Sequence, residues 1–178
     1  MKAYGVLYKL LFNGLYRFSF SMVKSREASE EIVSDAFIKL WQLGTKLNDI
    51  ENVKAYLYIV TKNFSLNYIS RNYKQVKLNI EEVDFNTFIS PVNPEESLMS
   101  GEAVKIIKES ISKLPPQCRI IFQLVKEDGL SYKEVASILD LSVFTVRNQM
   151  AIALKKVADS LPSSIRNLSF VKTGFSLS

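Results

Sequence analysis

Apolar residues recur every three or four positions along most of this chain, the spacing of a helix that turns one face toward a core. Near the start Tyr4, Leu7, Leu11, Leu15 and Phe18 make such a stripe, widened by Tyr8 and Phe12. A second helix is expected from about Arg26 to Leu43, with Ile32, Ala36, Leu40 and Leu43 inward and Gly44 as its stop. Glu27, Glu30 and Glu31 stand in its first turns, where the helix dipole favours negative charge. After a polar loop from Thr45 to Asn52, a third helix carries Val53, Tyr56, Leu57, Val60, Phe64 and Ile69. Helix formers are plentiful, and 178 residues hold only 6 Gly and 5 Pro, so the chain predicts an all-α fold.

The period fades from Gln75 to about Ser100, where Pro91 and Pro94 break helix. Glu81, Glu82, Asp84, Glu95 and Glu96 lie there, with no Lys or Arg between Leu78 and Gly101. So long an aperiodic stretch is unusual inside one compact domain. The expectation is therefore two small helical domains: a three-helix-type bundle over residues 1–74, an acidic flexible linker over 75–101, a second domain over 102–161, and a flexible tail over 162–178. Lys9, Asn13 and Arg17 interrupt the first apolar stretch at near-regular intervals, which fits an amphipathic helix and not a membrane anchor. No membrane insertion is expected, and a cytoplasmic location follows.

Cys118 is the only cysteine and there is no histidine, so an intramolecular disulfide, the usual zinc ligand sets and Cys-His or Ser-His catalytic pairs are all excluded. Neither GxxxxGK nor GxGxxG occurs, which leaves a nucleotide hydrolase without an anchor. The expectation is no enzymatic activity, no catalytic residue, no metal and no cofactor. A net charge of +5 suits contact with nucleic acid or an anionic surface.

The second half restarts with Val104, Ile107 and Ile111, breaks at Leu114, and resumes after Pro115-Pro116 for Gln117 to Lys126. Ser131 with Glu134 has the form of a capping box ahead of Val135, Ala136, Ile138 and Leu139. Asp140-Leu141-Ser142 then turns the chain, and Ser142 caps a long helix to about Leu161. Two helices joined by so short a turn, with small Ala136 at the crossing, form a helix-turn-helix. Val143, Val146, Met150, Ala153, Leu154 and Val157 make its second helix's inward stripe, leaving Phe144, Arg147, Asn148, Ala151 and Lys155 outward. Bidentate Arg suits guanine, Asn suits adenine and an aromatic ring can meet a thymine methyl, so Arg147, Asn148 and Phe144 are candidate base readers. Lys155 suits a phosphate.

The segment SKLPPQCRIIFQLVKEDGLSYKEVASILDLSVFTVRNQMAIALKKV resembles the C-terminal domain of the extracytoplasmic-function (ECF) sigma factors of the bacterial sigma-70 family. Residues 4 to 72 resemble the same family's first domain, so that the likeness spans roughly residues 4 to 160. The resemblance implies a transcription initiation factor that binds core RNA polymerase, opens a −10 element with the first domain and reads a −35 element with the helix-turn-helix. A −35 set of Ser142, Phe144, Thr145, Arg147, Asn148 and Lys155 follows.

In REASEEIVSDAFIKLW, the resemblance implies polymerase contacts at or near Glu31, Ser34, Asp35, Phe37 and Trp41. The family often has Gln where Ser34 stands. Phe37 and Trp41, four apart, fit core packing as well as a partner contact. VKAYLYIVTKNFSLNYISRN resembles the promoter-opening helix, with Lys54, Tyr58, Lys62, Asn63, Asn67 and Arg71 as the −10 set, and the loop from Thr45 to Asn52 would hold an extruded base. Rings interleaved with cations suit unpaired DNA. An anti-sigma partner is implied by the resemblance alone. The alternative is a stand-alone helix-turn-helix regulator whose N-terminal bundle senses a signal.

Overall fold

The computed structural model describes residues 2–72 and 101–160, with side chains from Tyr4 and from Lys105 onward. The acidic linker and the tail expected from sequence lie outside the described residues. Among the described residues seven α-helices follow one another: α1 (Lys2–Val23), α2 (Arg26–Gln42), α3 (Val53–Asn72), α4 (Gly101–Ser112), α5 (Pro116–Lys126), α6 (Tyr132–Leu139) and α7 (Val143–Ser160). No strand occurs among the described residues. The expected all-α architecture of two helical units is what the chain forms, with α1 to α3 in the first and α4 to α7 in the second. Where a polar loop was expected from Thr45 to Asn52, Gly44–Asp49 winds into a short 3-10 turn, which satisfies backbone groups locally.

Local chemistry sets each helix end. Lys24 takes a left-handed conformation (φ 57°), and Ser25 then caps α2 by accepting from the Ala28 N–H at 3.2 Å. Asn52 caps α3 through its Oδ1, 3.0 Å from the Ala55 N–H. Pro116 opens α5, where a missing N–H costs nothing. Gly129, at φ 65°, ends α5 in the left-handed region, and the Leu130 N–H reaches the Leu124 carbonyl at 2.9 Å. Ahead of α6 the capping box closes both ways between Ser131 and Glu134. Asp140 closes α6 at φ 55°, a conformation its short polar side chain tolerates, and so makes the sharp turn into α7.

In the first unit Leu15 and Phe18 of α1 pack on Val33, Ala36, Phe37 and Leu40 of α2 and on Leu57 and Val60 of α3. Ser19 and Ser65, both buried, meet at 3.0 Å between α1 and α3. In the second unit Ile121 and Leu124 of α5, Val135 and Ile138 of α6, and Val146 and Met150 of α7 are buried together. Buried Arg119 donates to the Leu114 carbonyl at 2.8 Å, closing the end of α4 onto α5. Val143, expected inward, is instead 40% exposed, and the inward stripe of α7 begins at Val146.

The two units do not stand apart. The main cluster of buried apolar residues runs through both, with α6 laid against α3 and the α5–α6 loop set against α1.

Candidate nucleic-acid interface

The outward face of α7 is built by its cap. Ser142 accepts from the Thr145 N–H at 2.9 Å, and the two hydroxyls lie 2.8 Å apart, so Ser142 and Thr145 order the first turn. Burial of Val146, Met150 and Ala153 then fixes the rotation of the helix. Phe144, 70% exposed, stands beside exposed Arg147 and Asn148 on the opposite face, with Lys155 exposed two turns later. A capped helix N-terminus with these side chains around it offers N–H groups and a cation to phosphates and two hydrogen-bonding planes to base edges.

On α3 the six predicted residues divide into two stripes at four-residue spacing. Asn63, Asn67 and Arg71 are exposed. Lys54, Tyr58 and Lys62 are instead covered by the second unit. Tyr58 is 1% exposed and its hydroxyl bonds the Asp128 carboxylate, so the expectation of a free stacking ring is corrected: the ring is part of the core. Lys54 donates to the Asp128 carbonyl oxygen, and Lys62 pairs with Asp140 at 2.6 Å. Asn52, just before α3, gives its amide N–H to Glu134. Arg17 of α1 lies 3.5 Å from Asp128 and 3.7 Å from Glu127.

Burial pushes the Asp128 carboxyl up, against the pull of the Tyr58 hydroxyl, Arg17 and Lys54. The same burial, with Asp128 beside it, pushes the Tyr58 phenol up. Glu127 is raised chiefly by burial as well, though water reaches more than a third of its side chain and screens it. The Ser131 hydrogen bonds hold Glu134 low.

On α2, Glu31 and Asp35 are exposed and Ser34 is half-buried, its hydroxyl donating to the Glu30 carbonyl at 2.8 Å. Trp41 is 58% exposed, with Tyr4 edge-on to it at 5.2 Å. Phe37 is corrected from a candidate contact to core: it is 1% exposed, its ring between those of Tyr4 and Tyr8. Ile38, 51% exposed, is the apolar residue that α2 shows beside Trp41 in its place. Sequence reading gave Ile38 no role, although Asp35 and Trp41 at helical spacing from it are exposed with it.

Family models describe both units, in chain order. Sigma-70 region 2 matches residues 7–75, and Sigma-70, region 4 matches residues 105–157. The chain belongs to the sigma-70 family. Within it, the ECF RNA polymerase sigma-E factor of Escherichia coli (strain K12) is 27% identical over 143 residues, covering 76% of this chain and 75% of that one. The sigma-E factor of Haemophilus influenzae is 25% identical over 144 residues, covering 77% and 76%. In fold, the sigma factor also matches RpoE of Bartonella quintana, solved with the anti-sigma factor NepR, at a TM-score of 0.57 and 19% identity over 90% of this chain and 97% of that one.

This is an ECF-type sigma factor, and it directs promoter-specific transcription. The region 2 match leaves no support for the stand-alone regulator. No described helix of the sigma factor is long and apolar enough to cross a membrane. Sequence reading of the sigma factor missed Gly14, Arg17, Asn52, Asp128 and Asp140 as members of one interface. The available signal was faint: a glycine inside an amphipathic helix, and carboxylates in the loop before α6 and at its C-cap.

Proposed function

We propose that this sigma factor binds core RNA polymerase through the outer face of α2, reads a −35 element with α7 and opens a −10 element with α3 and the turn before it. Glu31 and Asp35 steer the polymerase contact, Ser34 lies beside them, and exposed Trp41 and Ile38 supply its apolar anchor. Arg147 and Asn148 read bases, Phe144 meets a thymine methyl, Ser142 and Thr145 set the helix end on the backbone, and Lys155 holds a phosphate. Asn63, Asn67 and Arg71, the exposed stripe of α3, track the unpaired strand. The domain limits at residues 74, 101 and 161 mark where the promoter-opening unit, the tether and the promoter-reading unit divide. The factor works in the cytoplasm, where core polymerase is, and contributes no catalytic residue.

The observation that carries this reading is the pair of family matches in order, one on each helical unit. Because the related RpoE is found with an anti-sigma factor, we also assign this chain a protein inhibitor of that kind. Run-off transcription with core polymerase and a randomised promoter library tests the whole reading. Transcripts enriched for a two-part upstream motif are expected, and their absence, with tight operator binding by the free protein, would overturn it.

A further inference from the structure

On α3, Asn63, Leu66, Asn67 and Ser70 follow one another at three- and four-residue spacing and are all exposed, so they make one outward face of the helix. No charge stands on that face. The cations of α3 lie off it: Lys54 donates to the Asp128 carbonyl oxygen, Lys62 pairs with Asp140, and Arg71 stands in the last turn. Leu66 is 41% exposed and packs into none of the apolar clusters of the described residues. A single leucine at a surface is ordinary. The place of this one is not, because the amides of Asn63 and Asn67 stand three residues before it and one residue after it on the same face. An apolar side chain framed by two amides is a surface for a base edge: a phosphate finds no counter-charge between Asn63 and Ser70, whereas a base finds donors and acceptors on either side of an apolar contact.

We propose that Leu66 sets a preference for thymine at one position of the −10 element, its side chain meeting the C5 methyl group while Asn63 and Asn67 bond the base edges beside it. This rests on the reading of α3 as the strand-opening helix. Thymine is the base that carries an apolar group on its edge, and cytosine, the other pyrimidine, lacks it. The contact is apolar, so it adds preference for one base without adding salt dependence, which on this helix falls to the cations.

Holoenzyme made with full-length wild type or with Leu66→Ala is compared by run-off transcription from promoters randomised over the −10 element. Leu66 lies outside the core and alanine is at least as good a helix former, so the variant keeps its fold. Wild type is expected to select thymine at one position, and Leu66→Ala to lose that selection while keeping those at the other positions. Leu66→Met, which keeps an apolar side chain of similar size, should restore it. Replacing the selected thymine by deoxyuridine then removes the methyl group alone. That change is expected to cost wild type about threefold in transcript, the worth of one methyl group taken from water, and to cost Leu66→Ala nothing. Equal losses in the two proteins overturn the assignment, as does a −10 selection unchanged by Leu66→Ala, a loss by one common factor at every promoter, or a wild type that selects no thymine. Asn63→Ala/Asn67→Ala separates this inference from the reading beneath it. If that variant alters −10 selection and Leu66→Ala does not, the role of Leu66 falls and α3 remains the strand-opening helix. If neither alters it, the reading of α3 falls as well.

Discussion

The Lys62 ammonium on α3 lies 2.6 Å from the carboxylate of Asp140, yet the two side chains differ greatly in setting, 11% exposed for the lysine and 80% for the aspartate. A nearly buried cation is thus neutralised by an anion at the protein surface. The consequences of removing each partner are unequal. Asp140→Asn leaves a desolvated ammonium without a counter-charge and is expected to cost about 1–2 kcal/mol. Lys62→Met removes the buried charge and keeps much of the stem's packing, so it is expected to be near neutral. Urea unfolding of both variants checks this, and equal losses would show that the pair contributes by packing.

Protons act on the interface in a predictable direction. Burial raises the Asp128 carboxyl, so its charged form is what docking disfavours, and that cost is relieved as pH falls through the raised value. Glu127 adds in the same sense, with solvent screening it; the groups facing the two are Arg17 of α1, Lys54 and Tyr58 of α3, and Lys108 of α4. Glu134 runs oppositely: held low, its contribution is complete above the ordinary glutamate value of about 4.3 and lost only below it. With no histidine in the chain, the thermal midpoint is expected to rise as pH falls from neutrality toward the ordinary carboxylate range. Asp128→Asn should flatten most of that rise. A slope retained in the variant would remove Asp128 from the account.

Reading and tethering on α7 separate by mutation. Arg147→Ala is expected to cost about 1–3 kcal/mol at one preferred base and to relax the preference there. Lys155→Ala should weaken all promoters by one common factor and flatten the salt dependence. Holoenzyme binding to promoters carrying each base at each upstream position makes the comparison. One common factor for Arg147→Ala as well would assign it to a phosphate.

The carboxylates of α2 face away from both helical neighbours, so reversing them tests the polymerase contact without touching the core. Glu31→Arg with Asp35→Arg is expected to weaken core-polymerase binding by about 1 kcal/mol or more while circular dichroism stays helical. Undiminished pull-down by the folded variant would place the contact elsewhere.

What the sequence determined by itself is local. Spacing of apolar residues marked every helix, Pro116 and Gly44 marked helix ends, and Ser131 with Glu134 announced a capping box that closes as expected. These signals are legible because each arises within one or two turns of chain. The outward Phe144, Arg147 and Asn148 were legible for the same reason: once Val146 and Met150 turn inward, helical geometry dictates the rest. Tertiary structure alone decided that Phe37 is core while Trp41 is exposed, because four-residue spacing gives both one face, and Phe37 meets the rings of both Tyr4 and Tyr8 within the core cluster whereas Trp41 lies at its edge against Tyr4. It alone decided that Lys62 meets Asp140 across 78 residues of sequence, and that Tyr58 is covered by a loop from the other unit. Neither partner's local pattern encodes such a meeting. Charge and burial across a long separation are set by how two finished helical surfaces fit, and that fit is a property of the whole fold.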